Sequence, residues 1–412
     1  MKQQFHATLH GMKPLVTDAP IRLVRRGRPT ADRPDLFSGE PEPAVMLPGP
    51  GHVKGRGTAW RIAGRYERRT RAAIDDGWGS LDQLAEDDRD TRIRTEVIDE
   101  PCKSLLRAND SPDVPFDLSI NPYRGCEHGC IYCYARPTHS YADLSPGLDF
   151  ETRILAKTNA ADRLREELRR PRYTPRPLNL GSATDAYQPA ERTLKLTRQI
   201  IEVLHEAQHP FSVVTKSGGI VRDLDLLADM AQRQQVLVFV SVTTLDNDLA
   251  RILEPRASAP ARRLSTIRAL ADAGVWVGVN VAPVIPFINE PEIEQIIEAA
   301  ANAGARSVHW TVVRLPWEVN PLFQQWLGEH FPDRAHRVME RIRDLRGGQD
   351  YDADFSTRMK GEGIWADLIR QRMLAAAHRH GLVREVPALD FRQFRPPAAP
   401  KGFASVRQGE LF

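Results

Sequence analysis

Six short apolar runs, each separated from the next by helical sequence, constrain this chain more than any other feature. The runs occupy residues 118–121, 178–183, 211–216, 236–244, 275–283 and 307–315. Helical sequence fills 159–169, 192–207, 223–233, 262–273 and 291–303. Nearly unbroken apolar strands fit a parallel sheet covered on both faces. Gly274 and Gly304 stand where two of the helices must stop. The pattern predicts an α/β protein. An open arc, a closed barrel and a doubly wound sheet all satisfy it. Polar residues gather at or just past the carboxyl ends of the runs: Ser182, Thr184 and Asp185, then Thr215 and Lys216, then Ser241, Thr243 and Thr244, then Asn280. That edge is where α/β proteins bind ligands.

The flanks differ from this core. Residues 1–55 read as a loosely ordered basic arm, rich in Pro and Gly and carrying Arg22, Arg25, Arg26 and Arg28. Residues 56–117 read as an extension that packs on the core, 321–385 as a helical extension, and 386–412 as a Pro-rich tail. The net charge is only +3 for 412 residues, so any basic surface is local. The first twenty residues lack the apolar stretch of a signal peptide, and the run Val236–Val240 is far too short to span a bilayer. The expectation is a soluble, cytoplasmic protein with no membrane partner. Four cysteines, three of them crowded together, do not make a disulfide framework; in a reducing compartment such crowding points to metal.

The crowd is GCEHGCIYC, in which Cys126, Cys130 and Cys133 form C-x3-C-x2-C directly after the first strand run. Structural zinc needs four closed ligands, and His128 or a distant His is the available fourth. A [4Fe–4S] cluster ordinarily takes four cysteines, but the remaining Cys102 has no special ligand context. Three thiolates on a cluster leave one iron open, and an open coordination position is a reactive one.

C-x3-C-x2-C with Tyr132 before its last cysteine resembles the radical S-adenosylmethionine (SAM) superfamily. The segments SINPYRGCEHGCIYCYARPTH, GSATDAYQPAE, VTKS, SVTTLDNDLARILEPRASAPARRL and VNVAPVIP are similar to its spore photoproduct lyase-like branch, within a bacterial subfamily. The resemblance implies a partial (β/α)6 barrel over 118–320, with a match extending over about 55–385. It implies a [4Fe–4S] cluster held by Cys126, Cys130 and Cys133, with SAM chelating the open iron. Reductive cleavage of SAM would then give a 5′-deoxyadenosyl radical that abstracts hydrogen from substrate. A flavodoxin- or ferredoxin-type protein would supply the electron. The resemblance further implies that Tyr132 packs near the adenine and that Tyr134 contacts SAM. Ser182 would hold the methionine part, Lys216 its carboxylate, and Ser241 the carboxylate or ribose. Asn280 and the backbone of Ala282 would lie near adenine. Arg256 either binds cofactor or holds its loop. Asp185, Tyr187 and Gln188 would face SAM or substrate, with helix capping as the plainer role for Asp185.

One departure limits the carry-over. Spore photoproduct lyase uses a cysteine downstream of its cluster as hydrogen donor, whereas this chain has none after Cys133. Its substrate is therefore not transferred. Arginines interleaved with Trp60 and Tyr66 at 54–71, and the stretch LRRPRYTPRP, suit a phosphate-binding surface. The last five residues, from Gln408 to Phe412 (QGELF), resemble the short tail by which bacterial DNA-processing proteins dock on the sliding clamp, with Gly409 where an aliphatic residue is usual. The expectation is a radical SAM enzyme acting on nucleic acid, in repair or modification. The alternatives are a radical SAM enzyme with a protein or small-molecule substrate, and a non-catalytic Fe–S redox or scaffold protein.

Overall fold

The computed structural model describes residues 53–66 and 93–398. Most of the basic arm, the acidic stretch at 85–90 and the tail from Gln408 to Phe412 lie outside the described residues.

The six apolar runs all become strands: β1 (Leu118–Ile120), β2 (Leu178–Leu180), β3 (Phe211–Thr215), β4 (Val236–Ser241), β5 (Trp276–Val284) and β6 (Ser307–Val312). Every neighbouring pair among them is parallel, and their order across the sheet follows their order in the chain. A doubly wound sheet reverses that order at a switch point. This one never does, so it is wound in one direction only, as a partial barrel. Arg107–Ala108 pairs antiparallel with β1 and forms the edge opposite β6. A smaller sheet joins Glu96–Asp99, Arg153–Ala156 and Tyr123–Arg124 beside the cysteine loop.

The register explains what the sheet presents on each face. Val213, Val238, Val240, Val277, Val279 and Val308 point to one face and pack with helical residues such as Leu204, Met230, Ile267 and Ile297. Burying each such side chain contributes about 1.5–3 kcal/mol. Alternation then sends Lys216, Phe239, Ser241, Gly278, Asn280 and His309 to the other face. Ser241 lies opposite Asn280, and Asn280 opposite His309, in direct register. Gly278 is glycine because the Phe239 ring and Ser307 Oγ occupy the space a Cβ would need, at 2.8 and 2.5 Å.

Two helices depart from the sequence expectation. The span expected at 192–207 is broken at Lys195, which adopts φ 54°, into Glu191–Leu194 and Leu196–Glu206. A helix at Asn247–Leu253, capped by Asp246, was not foreseen, because its apolar positions are too few for a clear period. Gly274 and Gly304 close their helices with φ of 81° and 100°. Past the barrel, helices span Val319–His330, Pro332–Asp344 and Gly363–Arg379. No described helix is long and apolar enough to cross a membrane.

Candidate functional site

The cysteine loop leaves the small strand Tyr123–Arg124 and turns through Gly125 and Gly129, whose φ values of 79° and 67° lie in the region that favours glycine. Cys126 and Cys130 are buried and Cys133 is partly so. Cys133 packs against the surroundings of both others. The loop is clamped from several directions. Thr184 Oγ1 donates to the Gly125 carbonyl at 2.7 Å, and Gln188 accepts from the Glu127 amide at 2.9 Å. Arg136, fully buried, donates to the carbonyls of Cys130 and Gly129 and pairs with buried Glu151. Gly57 approaches so closely that an added Cβ would sit 1.9 Å from the Gly129 oxygen. Residues 56–60 thus cover the loop from behind.

The surroundings of the loop disfavour free thiolates. Burial, opposed in part by Lys216, pushes the Cys130 thiol up to about 12 and the Cys126 thiol well above its ordinary value. Thiols so placed ionise when a cationic centre binds them. Three thiols on one loop are the donor type that a [4Fe–4S] cluster takes.

A buried polar network faces Cys130. Glu254 accepts from the Tyr132 hydroxyl, from Thr243 Oγ1 at 2.6 Å and from the Arg263 guanidinium. Burial alone raises a carboxyl, but Arg263, Lys216 and the two hydroxyls outweigh it and hold Glu254 at about 2. Arg263 also donates to the carbonyls of Ser258 and Ser241. The Lys216 ammonium stands 5.8 Å from the Tyr132 ring centre. Burial lowers the Lys216 pKa, but the charges of Cys130 and Glu254 prevail and raise it. No hydrogen bond or ion pair of this ammonium is seen among the described residues, so it is free to meet an anion.

The structure sorts the expected site residues. Lys216, Ser241 and Asn280 share the sheet face away from the helices, and Ala282 follows two residues on along β5. Tyr132 is buried, with its hydroxyl engaged by Glu254. Tyr134 is 50% exposed and donates to the Ser182 carbonyl at 2.5 Å. Ser182 Oγ accepts from Asn121 at 3.1 Å. Four residues have other occupations. Asp185 accepts from the Lys216 and Tyr187 amides and from Thr215 Oγ1, each at 2.8 Å, and faces His128 Nδ1 at 3.3 Å. Its carboxylate is committed to bracing the loops. Gln188 is likewise a brace, and Tyr187 is core, with its hydroxyl on Asp223. Arg256 pairs with Glu127 at 3.0 Å and donates to Thr95 Oγ1, so it holds its loop. Arg56 and Trp60, expected on a phosphate-binding surface, are instead drawn inward. Arg56 donates to the carbonyls of Glu151 and Ile93, and Trp60 packs beside Ile131 and Leu322.

Burial would raise the Asp185 carboxyl, yet His128 and the three donors hold it at about 2. Its folded value lies below the ordinary carboxylate value near 3.8. Its contribution to stability is therefore present above about pH 4 and is lost as pH falls toward about 2. Asp185→Asn is expected to flatten acid unfolding across that window in circular dichroism. An acid profile identical to that of the parent would show the carboxylate contributes nothing there.

Glu254, Arg263 and Thr243 escaped selection as site residues. The only signal in the sequence was their place within strand-end and loop segments already noted. Nothing local in LEPRASAPARRL says that its glutamate meets a tyrosine 122 positions earlier.

The chain is similar to several known proteins. The Radical SAM superfamily profile matches residues 120–300. An uncharacterized protein of Mycobacterium tuberculosis is 38% identical over 281 residues, covering 68% of this chain and 81% of the relative. Another, from Methanocaldococcus jannaschii, is 24% identical over 199 residues, 48% of this chain and 71% of the relative. Among solved structures, a spore photoproduct lyase mutant with bound AdoMet and dinucleoside spore photoproduct is similar at 15% identity, covering 69% of this chain and 80% of that one, with a TM-score of 0.47. The profile match begins in the first parallel strand and encloses the cysteine loop, the Lys216 strand end and the helix that packs on β5. With a relative this similar along most of its own length, the chain is placed: it belongs to the radical SAM superfamily.

Proposed function

We propose that this protein is a catalytically active radical SAM enzyme of the spore photoproduct lyase-like branch. Cys126, Cys130 and Cys133 would hold a [4Fe–4S] cluster, and SAM would bind beside it on the sheet face away from the helices. The observation that carries this reading is the pairing of a buried three-thiol loop with the Lys216 ammonium, which lies beside the Tyr132 ring and makes no hydrogen bond or ion pair among the described residues. Cluster and SAM, once bound and reduced, supply a carbon-centred radical that abstracts hydrogen from substrate.

The chain's own residues do the rest. Lys216 presents a positive charge for the SAM carboxylate. Glu254 holds the Tyr132 hydroxyl in place. Ser241, Asn280 and the backbone of Ala282 line the same face as donors and acceptors, and Ser182 stands past the end of β2 against Tyr134. Tyr134 borders the site on its open side. Residues 56–60 exclude water from the back of the loop. The electron would come from a flavodoxin- or ferredoxin-type donor. Nucleic acid, for repair or modification, is the substrate class this reading favours over a protein or small molecule.

Anaerobic reconstitution with iron and sulfide, followed by dithionite and SAM, is expected to yield 5′-deoxyadenosine detectable by liquid chromatography. A fully iron-loaded protein that releases none would favour the redox or scaffold alternative.

A further inference from the structure

Large aromatic side chains normally bury their rings, because each removes 150–250 Å² of mostly apolar surface from water. Tyr66, Tyr134, Tyr141 and Trp317 do not; they remain 50%, 50%, 65% and 57% exposed. They come from three separate parts of the chain, yet a series of contacts joins them. Tyr66 and Tyr141 stack with ring centres 5.2 Å apart and planes inclined by 29°. The Arg65 guanidinium lies 3.8 Å from the Trp317 ring centre and 5.5 Å from that of Tyr66. Trp317 follows three residues after Arg314, whose guanidinium lies 4.7 Å from the Tyr134 ring centre. Tyr134 donates to Ser182, and Ser182 accepts from Asn121. Asn121 lines a cleft of about 280 Å³ whose wall includes Tyr141, with Lys157 and Arg124 as its cations. The path thus returns to its start. It passes directly beside Cys133, the residue before Tyr134.

The charges on this rim lean one way. Glu318 is paired with Arg65 at 3.1 Å and Glu100 with Arg124 at 3.2 Å. Among the described residues the Lys157 ammonium donates to the Asn121 carbonyl alone. Arg314 makes no hydrogen bond or ion pair among the described residues. Half-exposed flat rings alternating with guanidinium groups are what unpaired bases and a phosphate backbone require. A duplex hides its base faces within its own stack and cannot use such a surface. The cleft is at the small end of ligand pockets, a size suited to one base with its phosphate.

We infer that this rim is a stacking platform for single-stranded nucleic acid, with bases on Trp317 and the Tyr66–Tyr141 pair and phosphates on Arg314 and the cations of the cleft. The inference rests on the proposed function in taking the cysteine loop as the reactive centre that the strand is brought to.

The test is fluorescence anisotropy with the full cluster-loaded chain and a labelled oligonucleotide of about twelve nucleotides, single-stranded or annealed to its complement. The single strand should bind at least about 10-fold more tightly than the duplex. Trp317→Ala and Tyr141→Ala should each weaken it about 10-fold, while Trp317→Phe and Tyr141→Phe stay within about 3-fold of the parent. Arg314→Gln should make the salt dependence shallower by about one phosphate contact. Equal binding of duplex and single strand overturns the platform. So do alanine variants, folded by circular dichroism, that bind as the parent does. If the alanine variants do not fold, an Arg314→Gln salt slope equal to the parent's overturns it instead. Polyglutamate that competes as well as unlabelled strand would reassign the face to general polyanions. Measuring 5′-deoxyadenosine on the same preparation separates the two readings. Loss of strand binding with the nucleoside still formed refutes only the platform. Strand binding without the nucleoside refutes only the catalytic reading.

Discussion

Cys130→Ala protein, reconstituted with iron and sulfide in parallel with the parent, is expected to lack the visible absorbance of the cluster and to form no detectable 5′-deoxyadenosine. This is the largest effect expected of any single substitution here. The three thiols lie within one loop of eight residues, from Cys126 to Cys133, and nothing nearby can replace one of them. His128, the adjacent alternative donor, is buried against Asp185. Cys102 serves as the control, because it lies against the main core and its backbone is bonded to Asn159. Cys102→Ala should keep both absorbance and product. Iron retained near about four per chain in the Cys130→Ala protein would overturn the ligand assignment.

The second large effect is on stability. Arg263 and Glu254 are 1% and 2% exposed, and each is the other's counter-charge. Removing one partner leaves an uncompensated charge in the protein interior. Arg263→Ala is therefore expected to cost about 3–5 kcal/mol, read as a lowered midpoint in urea unfolding. The double variant Arg263→Leu with Glu254→Leu should recover much of that loss, since neither charge is then left alone. The recovery separates an ion-pair effect from simple loss of packing. A single variant within about 1 kcal/mol of the parent would mean that water reaches Glu254. The double variant should nonetheless bind SAM poorly, because the Tyr132 hydroxyl is held by Glu254.

Much of the barrel was legible before folding. Apolar runs of four to nine residues and the glycines at 274 and 304 placed all six parallel strands and most of the helices between them. The helix broken at Lys195 was not legible, since both halves carry helical sequence and only the conformation of that one residue divides them. The three-cysteine loop and the positions of Lys216, Ser241 and Asn280 at strand ends were also readable, because their types and spacing are local. The roles of Asp185, Arg256, Arg56 and Trp60 were not. Each looks available in the sequence, and each is taken up by a partner that arrives from elsewhere in the chain: Asp185 by His128, Arg256 by Glu127, Arg56 by Glu151 and Trp60 by the apolar cluster that includes Ile131 and Leu322.

The sequence by itself determined the alternation of strand and helix and the three-thiol loop at a strand's end, because hydrophobic period and residue spacing act over a few residues. The tertiary structure decided the winding of the sheet, the face shared by Lys216, Ser241 and Asn280, and the partners of every buried charge. It also decided which aromatics stay in water: Trp60 was drawn inside, while Tyr66 remained on the surface with Trp317, which Arg65 bridges from 252 residues away. The physical reason is that strand register and the burial of charge are settled between groups far apart in the chain, such as Arg65 and Glu318, 253 positions apart. No local pattern encodes which of them will meet.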